Sequence, residues 1–438
     1  MSRLALAVVA LAVAVPVTAA EKPNIVVIVG DDMGYADVGF HGCKDIPTPN
    51  LDALAKADTR FTSGYVSGPY CSPTRAGLLT GRYQTRFGHE FNGNGPEVGL
   101  PLSETTIADR LKTAGYATAW VGKWHLGGAD KFHPQKRGFD TAFGFLGGAH
   151  PYFPGKGEPI LRGTKDANET EYLTDAFGRE AVSFVDKNKA KPFFLYLAFN
   201  AVHTPMHATD ERLKKFADIK DNQRRTYAAM MWAMDEAIGK LLAKLKEEKL
   251  DKNTLIVFFS DNGGPTMQGT SVNGSVNTPL RGSKRTTLEG GVRVPFVMSW
   301  PGKIPAGRVF AAPVIQLDVL PTALAAAGVE IKADWMLDGV NLIPHLSGPV
   351  LKDPHDALFW RFGQQTAARK GDWKLVKYDA VADGGKGTSP ARLYNLADDI
   401  GEKTDLAAKH PDKVKELQGA WDEWNKGNVA PLWGGGKK

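Results

Sequence analysis

Two short polar segments, each following an apolar run, carry side chains suited to holding a cation. Asp31 and Asp32 follow the run Asn24–Gly30, and Asp261 and Asn262 come shortly after the run Leu255–Phe259. Adjacent buried carboxylates repel each other unless a cation or a proton lies between them. A helix N-cap and a solvated turn are the alternative, but recurrence after two apolar runs favours a metal site. Carboxylate and amide oxygens favour calcium or magnesium over zinc.

The two cysteines, Cys43 and Cys71, leave more than one interpretation open. In an exported protein, two cysteines commonly form a disulfide. A buried structural thiol is a second possibility. The wider context of Cys71 decides between these and a chemical role: it begins the string Cys71-Ser72-Pro73-Thr74-Arg75, which continues as Ala-Gly-Leu-Leu-Thr-Gly-Arg.

Basic and imidazole side chains follow further apolar runs. Lys123 and His125 come after Thr118–Val121, and His203 comes after Phe193–Phe199. Lys123 and His125 are two residues apart, so extended backbone would project them from the same face of the chain. Taken alone, a Lys-x-His pair is more often a surface feature than a catalytic one.

The elements that position these residues alternate between strands and helices. The apolar runs above are predicted strands, and Pro295–Trp300 is a further candidate. The pattern predicts helices over Ile107–Ala114, with Gly115 after its end, and over Arg224–Leu250. This alternation indicates an α/β fold with a large, mostly parallel sheet flanked by helices. The polar residues then lie at the carboxyl ends of the strands, where open α/β sheets bind ligands.

The sequence pattern changes near Leu358, and from there it predicts a smaller α+β lobe. It contains the candidate strands Leu358–Phe362 and Trp373–Tyr378, the segment Leu393–Leu396 and the candidate helix His410–Trp424. We expect a catalytic domain over residues 21–350, a C-terminal α+β subdomain over 351–430 and a flexible tail over 431–438.

Composition and the first twenty residues indicate where the protein works. A basic start, an apolar run and small residues over 1–20 predict a signal peptide, and hence a periplasmic or secreted protein. No cysteine stands at the expected cleavage point and no later run has transmembrane length, so no membrane anchor is expected. The net charge of +6 suits an anionic substrate. A dense Lys/Arg block is absent from the sequence, so nucleic acid is not an expected partner.

The string from Cys71 to Arg82 resembles the signature of the sulfatases almost throughout. The segment Gly115-Tyr116-Ala117-Thr118-Ala119-Trp120-Val121-Gly122-Lys123-Trp124-His125 resembles the second signature of that family. The resemblance implies an alkaline-phosphatase-like fold and hydrolysis of sulfate esters. It also implies that a maturation enzyme oxidises Cys71 to formylglycine, whose hydrated aldehyde attacks sulfur and later expels sulfate by returning to the aldehyde. Cys43 would then remain unpaired.

The resemblance also implies roles for the other residues. Asp31, Asp32, Asp261, Asn262 and an oxygen of modified Cys71 would bind calcium, with magnesium as the alternative. Arg75 would hold the formylglycine, Lys123 and Lys284 would contact sulfate, and His125 would assist deprotonation of the formylglycine hydroxyl. His203 would bind a sulfate oxygen near the ester bridge and protonate the leaving alcohol.

The substrate expected from the resemblance is a sulfated polysaccharide or its oligosaccharides, as in bacterial carbohydrate sulfatases similar to arylsulfatase A or N-acetylgalactosamine-6-sulfatase. Two other functions stay open from the sequence: a phosphomonoesterase or phosphodiesterase of the same superfamily, and a non-catalytic binder of sulfated glycans. Candidate sugar contacts lie in loops, at Asn92, Asn94, His150, Tyr152, Arg162 and the segment Gln268–Asn277.

Overall fold

A computed structural model describes residues 22–155, 157–349 and 352–434. The predicted signal peptide and the last four residues of the predicted tail lie outside these ranges. Sixteen strands are present in the described residues. They are β1 Asn24–Gly30, β2 Thr59–Phe61, β3 Gly64–Tyr65, β4 Ala117–Lys123, β5 Thr141–Phe145, β6 Leu161–Arg162, β7 Lys165–Asp166, β8 Phe193–Ala198, β9 Thr254–Ser260, β10 Phe296–Ser299, β11 Arg308–Phe310, β12 Val314–Ile315, β13 Leu358–Phe362, β14 Gln365–Lys370, β15 Trp373–Lys377 and β16 Arg392–Asn395.

The described residues also form ten α-helices. They are α1 Pro49–Ala57, α2 Cys71–Thr80, α3 Ile107–Thr113, α4 Leu173–Asn188, α5 Asp210–Lys215, α6 Asn222–Glu247, α7 Glu289–Val292, α8 Val319–Ala326, α9 Ile343–Leu346 and α10 Pro411–Asn425. None of them is long and apolar enough to cross a membrane.

A ten-stranded sheet forms the centre of the protein, in the order β11-β2-β10-β9-β1-β8-β4-β5-β6-β7. Its middle strands β9, β1, β8, β4 and β5 are parallel neighbours. β10 is antiparallel to β9, and β6 and β7 form an antiparallel edge. Both faces of the middle strands are buried, which explains their continuous apolar runs. The predicted mostly parallel sheet is confirmed.

Helices cover both faces of this sheet and divide the core in two. On one face, α1, α4 and α6 pack in a cluster that includes Leu54, Phe177 and Met234. On the other face, α2, α3 and α8 contribute Leu78, Leu111 and Leu320 to a second cluster. The long predicted helix is confirmed as α6, and its apolar residues at helical spacing are buried: Met230, Met234, Ile238, Leu241 and Leu245.

The smaller lobe is an antiparallel sheet in the order β13-β14-β15-β16, with α10 packed on it. Short reversals join β13 to β14 and β14 to β15, and alternating burial along β13 is typical of a strand with one face in the core. The predicted α+β lobe is confirmed. A flexible tail was expected to begin at residue 431. The residues that follow it contact the loop after α2: the Leu432 amide donates to the Gly88 carbonyl, and Trp433 Nε1 donates to the Phe91 carbonyl at 2.7 Å.

Candidate active site

Two of the polar pairs meet at the carboxyl edge of the large sheet. β1 and β9 are parallel neighbours whose last residues, Gly30 and Ser260, are in register. Asp31, Asp32, Asp261 and Asn262 therefore leave adjacent strands side by side, and all four are fully buried. The Asp261 amide donates to the Gly30 carbonyl at 3.0 Å, which ties the two turns together. The convergence expected from the strand ends is present.

Cys71 is the first residue of α2, a helix whose ten residues are all buried. Its N-terminus points into the same edge of the sheet, so the thiol belongs to the cluster that contains Asp31, Asp32 and His203. Cys43 lies elsewhere, half-buried beside Asp45, and both cysteines are free. The disulfide interpretation is therefore excluded for the folded chain described here.

Arg75 lies one helical turn after Cys71, on the same side of α2. Its guanidinium donates from Nε and Nη2 to Asp261 Oδ2 at 3.0 and 2.8 Å, and Nη2 lies 3.6 Å from Asp31 Oδ2. Nη1 donates to the Lys123 carbonyl at 3.3 Å. Arg75 thus links α2 to both strand-end turns and to the end of β4.

Lys123 ends β4, and its fully buried ammonium donates to Asp31 Oδ2 at 2.5 Å. The preceding Gly122 has φ of +113°, and a Cβ there would lie 1.9 Å from the Ala198 carbonyl oxygen of β8, so only glycine fits.

The prediction of extended backbone from Lys123 to His125 is wrong, because the strand ends at Lys123 and His125 adopts φ of +58°. The left-handed turn places His125 in the wall of the cleft, against Gly148, where a Cβ would lie 2.5 Å from its Nε2.

His203 and Lys284 both face Asp32. Lys284 Nζ lies 2.7 Å from Asp32 Oδ1, and His203 Nε2 lies 3.6 Å from Asp32 Oδ2. His203 Nδ1 is 2.5 Å from the Thr204 carbonyl oxygen, which can only accept, so Nδ1 carries the proton. When the ring is neutral, Nε2 therefore presents a lone pair to the site.

Burial and charge set the protonation of the centre. Burial, with the neighbouring Asp31 charge, raises the pKa of Asp261. Burial also opposes ionisation of Asp32, but Lys284 and His203 outweigh it and lower the pKa of that carboxyl. Burial, joined by the charges of Lys123 and Arg75, holds the pKa of His125 well below its usual value. His125 is therefore neutral at neutral pH.

The thiol of Cys71 is not activated by this surrounding. Burial raises its pKa to about 11, although Lys123 and Lys284 oppose the shift. A thiol in this state is almost wholly protonated at neutral pH and is a weak nucleophile.

The donor set fits a hard cation. Asp31 Oδ1 and Asn262 Oδ1 are buried and have no hydrogen-bond partner among the described residues. Ligand atoms of Asp31, Asp32, Cys71 and His203 lie within 4.8 Å of one another. Unpartnered buried oxygens cost free energy unless a ligand or ion satisfies them. The acidic cluster is thus a possible metal-binding site.

An open cleft of about 500 Å³ leads from solvent to this centre. His125, His203 and Lys284 form its floor, and Tyr70, Asn92, Asn94, Arg285 and residues 269–271 form its rim. A second cleft of about 430 Å³ adjoins it on the far side of His125 and contains Glu158. Polar side chains and backbone dominate both clefts.

The expected sugar contacts separate into two groups. Asn92 and Asn94 line the cleft, as do residues 269–271 of the expected segment. Tyr152 is fully buried, and its hydroxyl donates to the Asn200 and His203 carbonyls. His150 is buried against the Glu158 carbonyl, and Arg162 forms an ion pair with Glu180 outside the cleft. Tyr152 therefore supports the His203 loop from below and is not a sugar contact, because the structure leaves it no solvent-facing surface.

Two features of the site were not predicted from the sequence. Ser72 Oγ lies 2.5 Å from His89 Nε2, and the Ser72 amide donates to Asn92 Oδ1, so the residue after Cys71 anchors the rim. Arg285 follows Lys284 directly and adopts a left-handed φ of +73°. Its place in the rim could have been inferred from adjacency to Lys284, but its backbone conformation has no local sequence signal.

Comparison with known proteins gives matches along most of the chain. The family model "Sulfatase" matches residues 23–329, and the model "N-sulphoglucosamine sulphohydrolase, C-terminal" matches residues 282–418. N-acetylgalactosamine-6-sulfatase of Canis lupus familiaris is 36% identical over 386 residues, covering 81% of this chain and 72% of that protein. Arylsulfatase G of the same species is 32% identical over 447 residues, covering 89% and 82%.

Solved structures give a similar result. The crystal structure of Ps i-CgsB superposes with a TM-score of 0.88 at 41% identity, covering 95% of both chains. A second structure of that protein, in complex with k-i-k-neocarrahexaose, gives a TM-score of 0.87. These matches extend over both the large sheet and the smaller lobe.

Proposed function

The chain belongs to the sulfatase family and is a sulfuric ester hydrolase, and from this premise we propose that it removes sulfate from a sulfated polysaccharide or its oligosaccharides, with a nucleophile made from Cys71. One observation carries the proposal: Cys71 begins a buried helix where three carboxylates and three cationic side chains converge at the sheet edge.

The nucleophile is formylglycine, produced from Cys71 by a maturation enzyme. Its hydrated aldehyde supplies an attacking hydroxyl and a second hydroxyl whose deprotonation releases sulfate. An unmodified thiol in this place is buried and protonated, which supports the need for modification. The short distance from Cys71 to Arg75 along α2 lets the guanidinium hold the modified side chain.

The charged side chains around Cys71 bind and orient the sulfate group. Lys123 and Lys284 lie at the centre, where they pair with Asp31 and Asp32 respectively. Both are buried, so their charge acts in a low-dielectric surrounding where it is strong. They stabilise the negative charge that develops on the sulfate oxygens.

The two histidines divide the proton transfers. His125 is held neutral and accepts a proton from the second hydroxyl of the nucleophile. His203 lies in the floor of the cleft, with its proton on Nδ1 and its Nε2 facing the site. Once Nε2 is protonated it donates to the leaving alcohol, which a sugar hydroxyl needs because it is a poor leaving group.

A calcium ion, or magnesium in its place, is the cation that we propose for the strand-end cluster. Asp31, Asp32, Asp261 and Asn262 would hold it, together with an oxygen of modified Cys71. The unpartnered oxygens of Asp31 and Asn262 support this ligand set. The bound ion would polarise the sulfate ester. His203 Nε2 lies in the same cluster, but an imidazole suits calcium poorly, so we assign it to substrate.

A carbohydrate substrate is supported by the cleft and by one relative. The cleft is open and its rim is made of amides, hydroxyls and an arginine, which match sugar hydroxyls and charged substituents. Ps i-CgsB, which is 41% identical, has been solved in complex with k-i-k-neocarrahexaose. We further propose export to the periplasm or the medium, and a boundary between catalytic and C-terminal domains near residue 350.

The test is sulfate release from a panel of defined sulfated galactan and glycosaminoglycan oligosaccharides, by protein coexpressed with a formylglycine-generating enzyme. We expect desulfation at one ring position and loss of activity in Cys71→Ala. Cys43→Ala is the matched control, because Cys43 lies outside the site, and it should retain activity. Faster release of phosphate from matched phosphate esters would favour a phosphatase, and tight glycan binding without sulfate release would favour a binder.

A further inference from the structure

Three residues around the cleft share an unusual backbone conformation. Asp32, His125 and Arg285 adopt φ of +62°, +58° and +73°, the left-handed region that L-residues other than glycine avoid. Such residues concentrate at functional sites, where the surrounding structure holds them. Asp32 and His125 have roles in the proposed chemistry. Arg285 has none, so its conformation needs a separate explanation.

The structure holds the Arg285 backbone from two sides. Its amide donates to the Pro69 carbonyl at 2.8 Å, just before the nucleophile helix. Its carbonyl accepts from Nε2 of Gln365 at 2.9 Å, and Gln365 is buried on β14 of the smaller lobe. The conformation is therefore enforced by contacts from both parts of the chain.

The Arg285 side chain faces the cleft, and most of its N–H groups are available to a ligand. It is exposed and lines the cleft with Lys284, His203 and Tyr70. Nη1 donates to the Gly269 carbonyl at 3.0 Å, and among the residues that the structure describes the guanidinium forms no ion pair. Because a guanidinium carries five N–H donors, most of its hydrogen-bonding capacity remains available.

Charge differs between the two sides of the cleft. The side of Arg285 also contains Lys284, whereas the adjoining cleft beyond His125 contains Glu158. An anionic group on the substrate is therefore favoured toward Arg285 and disfavoured toward Glu158. This asymmetry gives the bound oligosaccharide a direction.

From these observations, and resting on the proposed function, we infer that Arg285 binds a second anionic substituent of the same oligosaccharide, next to the sulfate that is hydrolysed. The substituent is a sulfate ester or a uronate carboxylate, since both match the planar fork of a guanidinium. The preferred substrate class is therefore a glycan with at least two negative groups close together.

Arg285→Gly is the sharpest variant, because it removes the guanidinium and places glycine where φ favours it. The protein should fold with an unchanged or higher Tm. Steady-state kinetics are compared on oligosaccharides of equal length that carry the cleaved sulfate alone, a second sulfate, or a neighbouring uronate. For the doubly charged substrate that this site accepts, KM should rise about tenfold or more, as expected for a lost hydrogen bond to a charged group. KM for the monosulfated substrate should stay within about twofold.

Two controls separate local recognition from general charge. Arg285→Lys keeps the charge but loses the fork, and should recover part of the affinity. Lys252→Gln removes a charge next to the amino end of β9, at the opposite edge of the sheet, and should leave KM unchanged on all three substrates. An equal rise in KM on all substrates for Arg285→Gly, or no rise on any, would overturn the inference. If the wild-type protein released no sulfate from any of the three substrates, the proposed function would be overturned instead.

Discussion

Two regions of the site, the strand-end wall and the loop rim, are built from different kinds of structure. The strand-end wall consists of Asp31, Asp32, Asp261 and Asn262, which leave adjacent parallel strands and are fully buried. The loop rim consists of Asn92, Asn94, residues 269–271 and Arg285, which leave loops and are half-buried or exposed. One wall is positioned by the register of the sheet, and the other by contacts distant in the sequence.

Those distant contacts come largely from the smaller lobe. Arg361 of β13 forms a buried ion pair with Glu90, and Gln365 of β14 holds the Arg285 carbonyl. Trp433 lies 4.7 Å from His89, edge to face, and donates to the Phe91 carbonyl. From this difference we infer two separate roles. The large sheet positions the catalytic groups, and the smaller lobe shapes the rim that selects the substrate. Variants of the strand-end wall should change kcat, and variants that loosen the rim should change KM.

Removal of divalent metal should have the largest effect, because it acts on the strand-end wall. After chelation, kcat for sulfate release should fall at least about 10²-fold, since electrostatic stabilisation of the transition state is lost. Calcium should restore it and raise the Tm, because a ligand that binds the folded state stabilises it. The measurement is activity and Tm at each step, with metal content determined by elemental analysis. Full activity in metal-free protein would contradict the proposal that the strand-end wall acts in catalysis through a bound metal ion.

Glu90→Gln should have the next largest effect and should act on KM. The Glu90 carboxylate accepts from Arg361 at 2.7 and 2.9 Å and from the Gly363 amide at 2.7 Å, and it is almost fully buried. Loss of its charge leaves Arg361 without its partner, which costs about 3 kcal/mol of stability. It also loosens the loop that carries Asn92, so KM should rise about tenfold while kcat changes little.

The matched control for this variant is Glu104→Gln. Glu104 pairs with Arg82 at 2.9 Å in a similarly enclosed position, but that pair does not join the lobe to the rim. It should lower stability without changing KM. A fall in kcat with constant KM in Glu90→Gln would contradict the assignment of recognition to the rim.

Trp433→Ala should have a smaller effect of the same kind. The variant loses the edge-to-face contact with His89 and the hydrogen bond to Phe91, which together steady the loop after α2. We expect KM to rise about threefold at an unchanged kcat. Trp433→Phe keeps the ring contact and should show an intermediate KM. Equal kinetics for wild type and Trp433→Ala would show that this C-terminal contact does not shape the rim.

The smallest effect concerns the pH dependence of a contact beside the smaller lobe. His355 pairs with buried Asp318 at 2.8 Å; burial alone would lower its pKa, but Asp318 outweighs burial and raises it above the usual value. The folded state therefore holds the proton more tightly than the unfolded state. The stabilisation is full below about pH 6.5 and is lost as pH rises through the folded-state pKa.

The measurement is the Tm of wild type minus that of His355→Gln across this range. The difference should be about 1–2 °C at low pH and should shrink as pH rises. His345→Gln serves as the control, because among the described residues the His345 side chain forms a single hydrogen bond, between Nδ1 and the Lys352 carbonyl. A difference that grows with pH would have the wrong sign for the raised pKa.

The same contrast explains how much could be predicted from the sequence. Asp31, Asp261 and His203 follow continuous apolar runs, and the parallel order of such strands brings their ends together. The α/β class, the mostly parallel sheet, the long helix α6 and the α+β lobe follow from periodicity in the same way. The sequence patterns also predicted Asn92 and Asn94 as cleft residues, because they lie in a glycine-rich loop.

Other features depend on contacts without a local pattern. Tyr152 and His150 were expected in the cleft and lie buried beneath it, because their loop folds under His203. His125 leaves the strand direction through a left-handed turn that the Lys-x-His spacing does not reveal. Arg285 is held by Gln365, which is 80 residues away. Such positions are set by tertiary packing, which no short segment encodes.

The most direct test of the account is the rate of sulfate release measured against the fraction of Cys71 converted to formylglycine. Preparations with different degrees of coexpressed maturation provide the range, and peptide mass spectrometry provides the fraction. We predict a rate on a sulfated oligosaccharide that is proportional to the converted fraction and vanishes when conversion is zero. A rate independent of conversion, or no sulfate release from fully converted protein, would contradict the central claim.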